Sequence, residues 1–150
     1  MDLENIARIS EIVSSVAVVV SLIYVSAQIR QNTRALRATT YNVVTGNSLA
    51  ILSPMSAHPE VTEFLTRFQA DPELATAAEK MRFHILLLAA FRHWDNLYYQ
   101  FRNGTLEPEM WESYDATLGS WLDNDAWRAW FKRNAIFFSK SLQALVVQRL

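Results

Sequence analysis

The sequence predicts an all-α fold: a single N-terminal transmembrane helix continuing into a stalk, then a small cytoplasmic helical bundle of about four helices. Three observations carry that expectation. Ile12–Ile29 runs for 18 residues without a charge and is followed at once by the basic segment Arg30–Arg37. Apolar residues supply 51% of the chain while glycine occurs only three times, a balance that favours long helices over sheets. Downstream, apolar residues recur at helical spacing, with prolines and capping residues between the segments and no strand alternation. The expected divisions are an anchor over 1–30, a stalk over 31–54 and a helical domain over 55–150.

The anchor comes first. At 1.5 Å per residue its 18 residues cover about 27 Å, just short of a hydrocarbon core of about 30 Å. Six valines and two isoleucines crowd Ile12–Val25, and β-branched residues lose side-chain freedom in a helix in water. In lipid the backbone must satisfy its own hydrogen bonds, and that demand overrides propensity. Tyr24 and Arg30 are candidate interface anchors at one end. A secretory signal is a competing reading, since Val25-Ser26-Ala27 resembles a cleavage site, but Asp2, Glu4 and Glu11 give the lead-in the wrong charge. A buried core helix of a soluble protein is another, permitted by a short, serine-bearing run.

Flanking charge sets the expected orientation. Arg30, Arg34 and Arg37 follow the span, no acid lies between Ile12 and His58, and the other flank has one arginine. The positive-inside rule then places the N-terminus outside and the C-terminal portion in the cytoplasm. The same arginines could also bind anionic lipid. A stripe of small or polar residues runs along the span through Ser14, Ala17, Ser21 and Gln28. Small residues let helices approach closely in membranes and serine can bond across them, although serine can equally bond back to its own helix. The expected contact is with a second copy or another membrane protein.

The stalk should continue through Gln31–Leu52, ended by Pro54 and the segment Ser53–His58. His58-Pro59-Glu60 opens the next helix, because proline suits the first helical position and Glu60 favours its positive end. Val61, Phe64, Leu65 and Phe68 form its apolar face, and Asp71-Pro72 interrupts it. Thr76 with Glu79 makes a capping box for the longest downstream helix, Ala77–Arg102. Phe83–Phe91 is apolar nearly all round and so belongs at the centre of the core. Asn103-Gly104 stops that helix. Glu107-Pro108 starts another, and Asp123, Asn124 or Asp125 caps the last helical region, which has a candidate break near Asn134 before Phe137–Leu150.

Most site chemistries find no pattern here. With no cysteine there is no disulfide, thiolate nucleophile or zinc-thiolate set, and a net charge of −1 argues against nucleic acid as a partner. His84 and His93 lie nine residues apart, on opposite helix faces, and no Glu-x-x-His pattern occurs, so no metal is expected. The isolated glycines make no phosphate cradle, no nucleophile elbow is present, and no cofactor is expected. Arg92 and Asp95, three apart in an apolar helix, read as a structural pair ahead of a ligand-orienting one. Trp127, Arg128, Trp130 and Phe131 mix aromatics with cations, which suits either core packing, a protein-partner surface or a lipid surface.

The segment Ser21–Ala38, SLIYVSAQIRQNTRALRA, resembles the N-terminal signature of a widespread group of small uncharacterised bacterial membrane proteins, whose usual form is similar to SLIYLAVQIRQNTRALRA. In that group a helical region with an FR…E/D…Q…G pattern and a tryptophan-rich end follows, and the matching residues here are Phe91-Arg92, Asp95, Gln100, Gly104, Trp111 and Trp127–Trp130. The resemblance implies a membrane-anchored helical protein and no particular activity. The functional expectation is a non-enzymatic accessory or scaffolding protein of a bacterial inner membrane. The alternative is a membrane-tethered sensor with an apolar-ligand pocket near Phe91, Trp94, Trp111 and Trp121.

Overall fold

The computed structural model describes residues 2–71 and 75–149, and every regular element among them is helical. Met1, Pro72 and Leu150, which the sequence assigns to the lead-in, the second break and the last helix, lie outside the described residues. In chain order the helices are α1 (Leu3–Ala57), α2 (Pro59–Ala70), α3 (Ala77–Arg102), α4 (Pro108–Leu122), α5 (Asp125–Asn134) and α6 (Lys140–Val147), with a 3-10 turn at Ala135–Phe137. The chain divides into two compact units, Met1–Thr39 and Thr40–Leu150.

The first unit is helix alone. Every described side chain in it is exposed, including Val16, Val19 and Ile23 at 56%, 55% and 65%. Its hydroxyls fold back on the backbone: Ser15 donates to the Glu11 carbonyl and Thr33 to that of Ile29.

The second unit begins inside what the sequence treats as stalk. From Thr40 onward α1 is part of the bundle: Thr40 and Val44 are buried, and Ile51 and Met55 pack against the core. Of the apolar residues expected along the stalk, Val44 and Ile51 turn into the core while Leu36, Tyr41 and Leu52 stay exposed. Pro54 itself does not end the helix, which runs on to Ala57, inside the segment Ser53–His58 expected to stop it. Pro54 lacks only the amide that would reach the Ala50 carbonyl; at the helix end, where Pro59 has no amide to offer Met55, Thr62 Oγ1 donates to the Met55 carbonyl at 2.6 Å and the His58 amide to that of Pro54 at 3.2 Å. What stops α1 is Pro59, since the residue before a proline is driven out of the helical region and His58 sits at φ −127°, ψ 94°.

The remaining breaks follow the local chemistry. Thr76 and Glu79 form the expected capping box, with the Thr76 amide donating to Glu79 Oε2 at 2.8 Å. Pro108 opens α4, and Asn124 caps α5 by accepting from the amides of Ala126 and Trp127. At the end of α3 the Gln100 carbonyl accepts from the amides of Thr105 and Leu106 at 3.0 and 3.2 Å, which requires Gly104 to take φ +71°.

Packing radiates from α3. Leu87, Phe91 and Leu97 are fully buried, and Phe91 lies 4.8–5.9 Å, ring centre to ring centre, from Trp94, Trp130, Phe131 and Phe138. Helix α2 adds Phe68, stacked on Phe83 at 4.0 Å, and α4 adds Trp111, stacked on Phe101 at 5.3 Å. This is an aromatic core with one helix at its axis.

Two glycines should respond in opposite directions. Gly104→Ala forces a left-handed alanine and is expected to cost about 1 kcal/mol. Gly46→Ala, where an added Cβ meets nothing within 4 Å, is expected to stabilise α1 by about 0.5–1 kcal/mol. Denaturant titration of the two variants beside the parent measures both signs.

Candidate functional site

The first candidate is the exposed apolar helix. α1 holds the one described helix long and apolar enough to cross a membrane, and none of its most apolar 18-residue window is buried inside the chain. A core helix would be covered; this one is not. Tyr24 is 66% exposed, and Arg30, Arg34 and Arg37 are exposed with no carboxylate partner among the described residues. On the small-residue stripe, Ser21 Oγ donates to the Ala17 carbonyl at 2.8 Å. Ser14, Ala17, Ser21 and Gln28 thus share an exposed face, with the Ser21 proton already used within its own helix.

The aromatic–cation cluster resolves differently. Trp127, Trp130 and Phe131 are buried at 8%, 4% and 2%, so they cannot form a partner surface while the bundle is folded. Their i, i+3, i+4 spacing already marks a core face of α5, and Trp130 Nε1 donates to His84 Nδ1 at 3.2 Å. Arg128 turns instead to Asp125, three residues earlier, as an ion pair. Of the four residues, none is a free surface anchor.

Arg92 and Asp95 also separate. The two are 3.7 Å apart, but the arginine is largely exposed while Asp95 is buried. Asp95 faces the start of α6: its Oδ2 accepts from the Ser139 amide at 3.0 Å and its Oδ1 from the Ser139 hydroxyl. Ser139 Oγ in turn accepts from the Leu142 amide at 3.1 Å, capping α6. A carboxylate on α3 thereby fixes the first turn of α6. Arg92 lies over the Phe138 ring at 5.4 Å, beside that cap.

A polar cluster that the sequence did not reveal joins α1, α3 and α4. Ser48 Oγ lies 2.8 Å from His93 Nε2, 2.7 Å from the Tyr114 hydroxyl and 3.0 Å from the Val44 carbonyl. With the imidazole protonated on Nε2, all three contacts are satisfied at once: His93 and Tyr114 donate to Ser48, and Ser48 donates to Val44. Chemically this resembles a Ser–His pair, but among the described residues no carboxylate reaches His93 to orient it, and Asp95 is committed to Ser139. The residues come from positions 48, 93 and 114, and no local spacing could have linked them.

Cavities beside this cluster are small or open. The aromatic pocket lined by Ser48, His93, Trp94 and Trp121 holds about 90 Å³, whereas drug-sized ligands fill roughly 300–1,000 Å³. A larger groove of about 600 Å³ runs past Asn47, Arg92, His93, Asn96 and Arg102, but it is open-sided and Arg102 is already bonded to Ser141. Phe91 and Trp111, expected near a ligand cavity, instead pack against other rings. Among the described residues, no group of three His, Asp or Glu side chains gathers as a metal ligand set. Compared with known protein families, with curated proteins and with solved structures, the chain shows no match.

Two outcomes follow from this geometry. Asp95→Ala and Ser139→Ala should each cost roughly 1.5–3 kcal/mol, and the double variant should cost less than their sum, because the hydroxyl–carboxylate bond is lost in both while the amide bond to Asp95 and the Leu142 cap are lost separately; a double-mutant cycle by denaturation measures that. Burial holds the His93 imidazole below its ordinary value of 6.5. The unfolded chain then takes up a proton first as pH falls, so the stability linked to neutral His93 is whole above about 6.5 and is lost below it, until folded His93 itself protonates. His93→Gln should flatten the stability profile in that acidic window.

Proposed function

We propose that the chain is a non-enzymatic, single-span protein of a bacterial inner membrane, with its N-terminus outside and its helical bundle in the cytoplasm. It acts as an accessory or scaffolding subunit, meeting a second copy or another membrane protein through Ser14, Ala17, Ser21 and Gln28. The observation that carries this reading is the apolar run Ile12–Ile29, which the chain leaves entirely uncovered and follows with three arginines lacking carboxylate partners. A run of that size exposed to water would aggregate, so a bilayer or a protein must cover it. The orientation rests on Arg30, Arg34 and Arg37, and assignment to bacteria rests on the resemblance of Ser21–Ala38.

The sensor alternative has less support, because the aromatic interior leaves only about 90 Å³ beside Trp94 and Trp121. Neither reading asks for catalysis.

The full chain should remain with membranes through salt and alkaline washes, and Val19→Arg, costing about 2.5–3.5 kcal/mol at mid-span, should release it. The absence of native cysteine makes crosslinking clean. Ser21→Cys should crosslink while Ile23→Cys, about 200° away around the helix, should not. Recovery from gently solubilised membranes as a lone monomer, with no crosslink from either position, would remove the scaffolding role.

A further inference from the structure

The last 25 residues, Ala126–Leu150, contain no acid and five basic side chains, which leaves nine basic against fifteen acidic residues in the rest of the chain. Within that segment Arg128 pairs with Asp125 and Arg149 with Asp115. Lys132 and Arg133 have no carboxylate partner among the described residues, and the Lys140 ammonium meets only the Gln143 amide oxygen, at 3.4 Å. Between these cations, on the 3-10 turn, Ile136 is 82% exposed and Phe137 51%.

The turn does not display these side chains by fraying. The Phe138 amide donates to the Ala135 carbonyl at 3.0 Å, Asn134 Nδ2 donates to that of Trp130 at 2.8 Å, and Ser139 is held by Asp95. Phe138, the next residue, is buried in the aromatic core. The backbone is pinned on both sides while two large apolar side chains are exposed, in a segment whose Lys132, Arg133 and Lys140 have no carboxylate partner among the described residues.

We propose that this turn is a second membrane contact, in which Ile136 and Phe137 enter the headgroup boundary of an anionic bilayer and Lys132, Arg133 and Lys140 meet its phosphates. Apolar side chains beside basic ones are the chemistry of interfacial binding, and the local excess of positive charge selects an anionic surface over a neutral one. An acidic protein would match the charge, but Ile136 and Phe137 stand out singly from a turn and form no groove for a partner to fill. The inference rests on the anchored reading for the nearness of a bilayer, and it concerns a different surface from the span.

The test uses the full chain in lipid nanodiscs with an environment-sensitive fluorophore on Ile136→Cys or, separately, on Val19→Cys, and nitroxide lipids as quenchers. The expected result is quenching at residue 136 in discs containing phosphatidylglycerol, relieved by salt and weak in phosphatidylcholine alone. Each of Lys132→Gln and Arg133→Gln should lower the docked fraction's equilibrium constant by about fivefold. Equal quenching in both lipids would overturn the charge-selective contact. A water-exposed probe at 136 with a quenched probe at 19 would overturn the docking and leave the span standing, whereas the reverse pattern would keep the docking and remove the span. Concentration-dependent protection of residue 136 in detergent alone would assign the patch to a second copy and overturn the lipid contact.

Discussion

The bundle is organised around the buried side of α3. Phe83, Leu87, Ala90 and Phe91 are covered while Ile85 stays 58% exposed, and α2, α4, α5, α6 and the end of α1 all contribute residues to the core that α3 runs through. Phe91 at the axis makes ring contacts with residues from α3 itself, α5 and the segment leading into α6. Of the polar groups brought inside by this closure, Trp94 Nε1 donates to the Tyr114 carbonyl and Asp95 receives Ser139. Trp127 Nε1 and Asp115 Oδ1 are buried without a partner among the described residues. Each polar pair specifies one arrangement of helices where apolar contact alone would accept several.

The chain has two strongly apolar helical stretches with different fates. In α3 the chain encloses Phe83, Phe91 and Trp94. Along Ile12–Ile29 half of the side chains are valine or isoleucine, all are exposed, and the hydroxyls of Ser15 and Ser21 are turned back onto the helix. Back-bonded serines suit a nonpolar solvent, because they leave no unpaired donor. The same bonding weakens any claim that Ser21 donates across an interface. What it offers a neighbouring helix is small size and a remaining lone pair.

Much of the fold was legible because it rests on local rules. The capping box at Thr76, Pro59 and Pro108 at helix starts, Asn124 at the α5 cap and Gly104 at the α3 stop are all readable within a few residues. Periodicity likewise exposes the core face of α3. The remaining points are tertiary. Pro54 reads as part of the stop, yet α1 runs three residues past it and ends at Ala57, inside the expected segment Ser53–His58. For Trp127, Trp130 and Phe131 the sequence left core packing, a partner surface and a lipid surface open; burial selects the core, with helical phase putting the rings and the cations on different sides. The Ser48–His93–Tyr114 cluster was invisible, since its members are brought together only once three helices have docked.

Within the FR…D…Q…G pattern of this chain, each residue resolves a folding problem. Phe91 is buried in the core, Asp95 holds Ser139 at the α6 cap, the Gln100 backbone carbonyl and Gly104 close α3 while the Gln100 side chain bonds to Asn96, and Arg92 lies over Phe138. None of these residues needs an external ligand to explain its chemistry. The segment Ser21–Ala38 is the opposite case. Its glutamines, arginines and small residues are exposed along a helix with nothing packed on it, so their placement contributes nothing to the internal packing of the chain. Exposed side chains that the internal packing does not use are the ones free to meet something outside the molecule. By that reasoning the bundle supplies stability and form, and the search for function belongs first to the exposed helix.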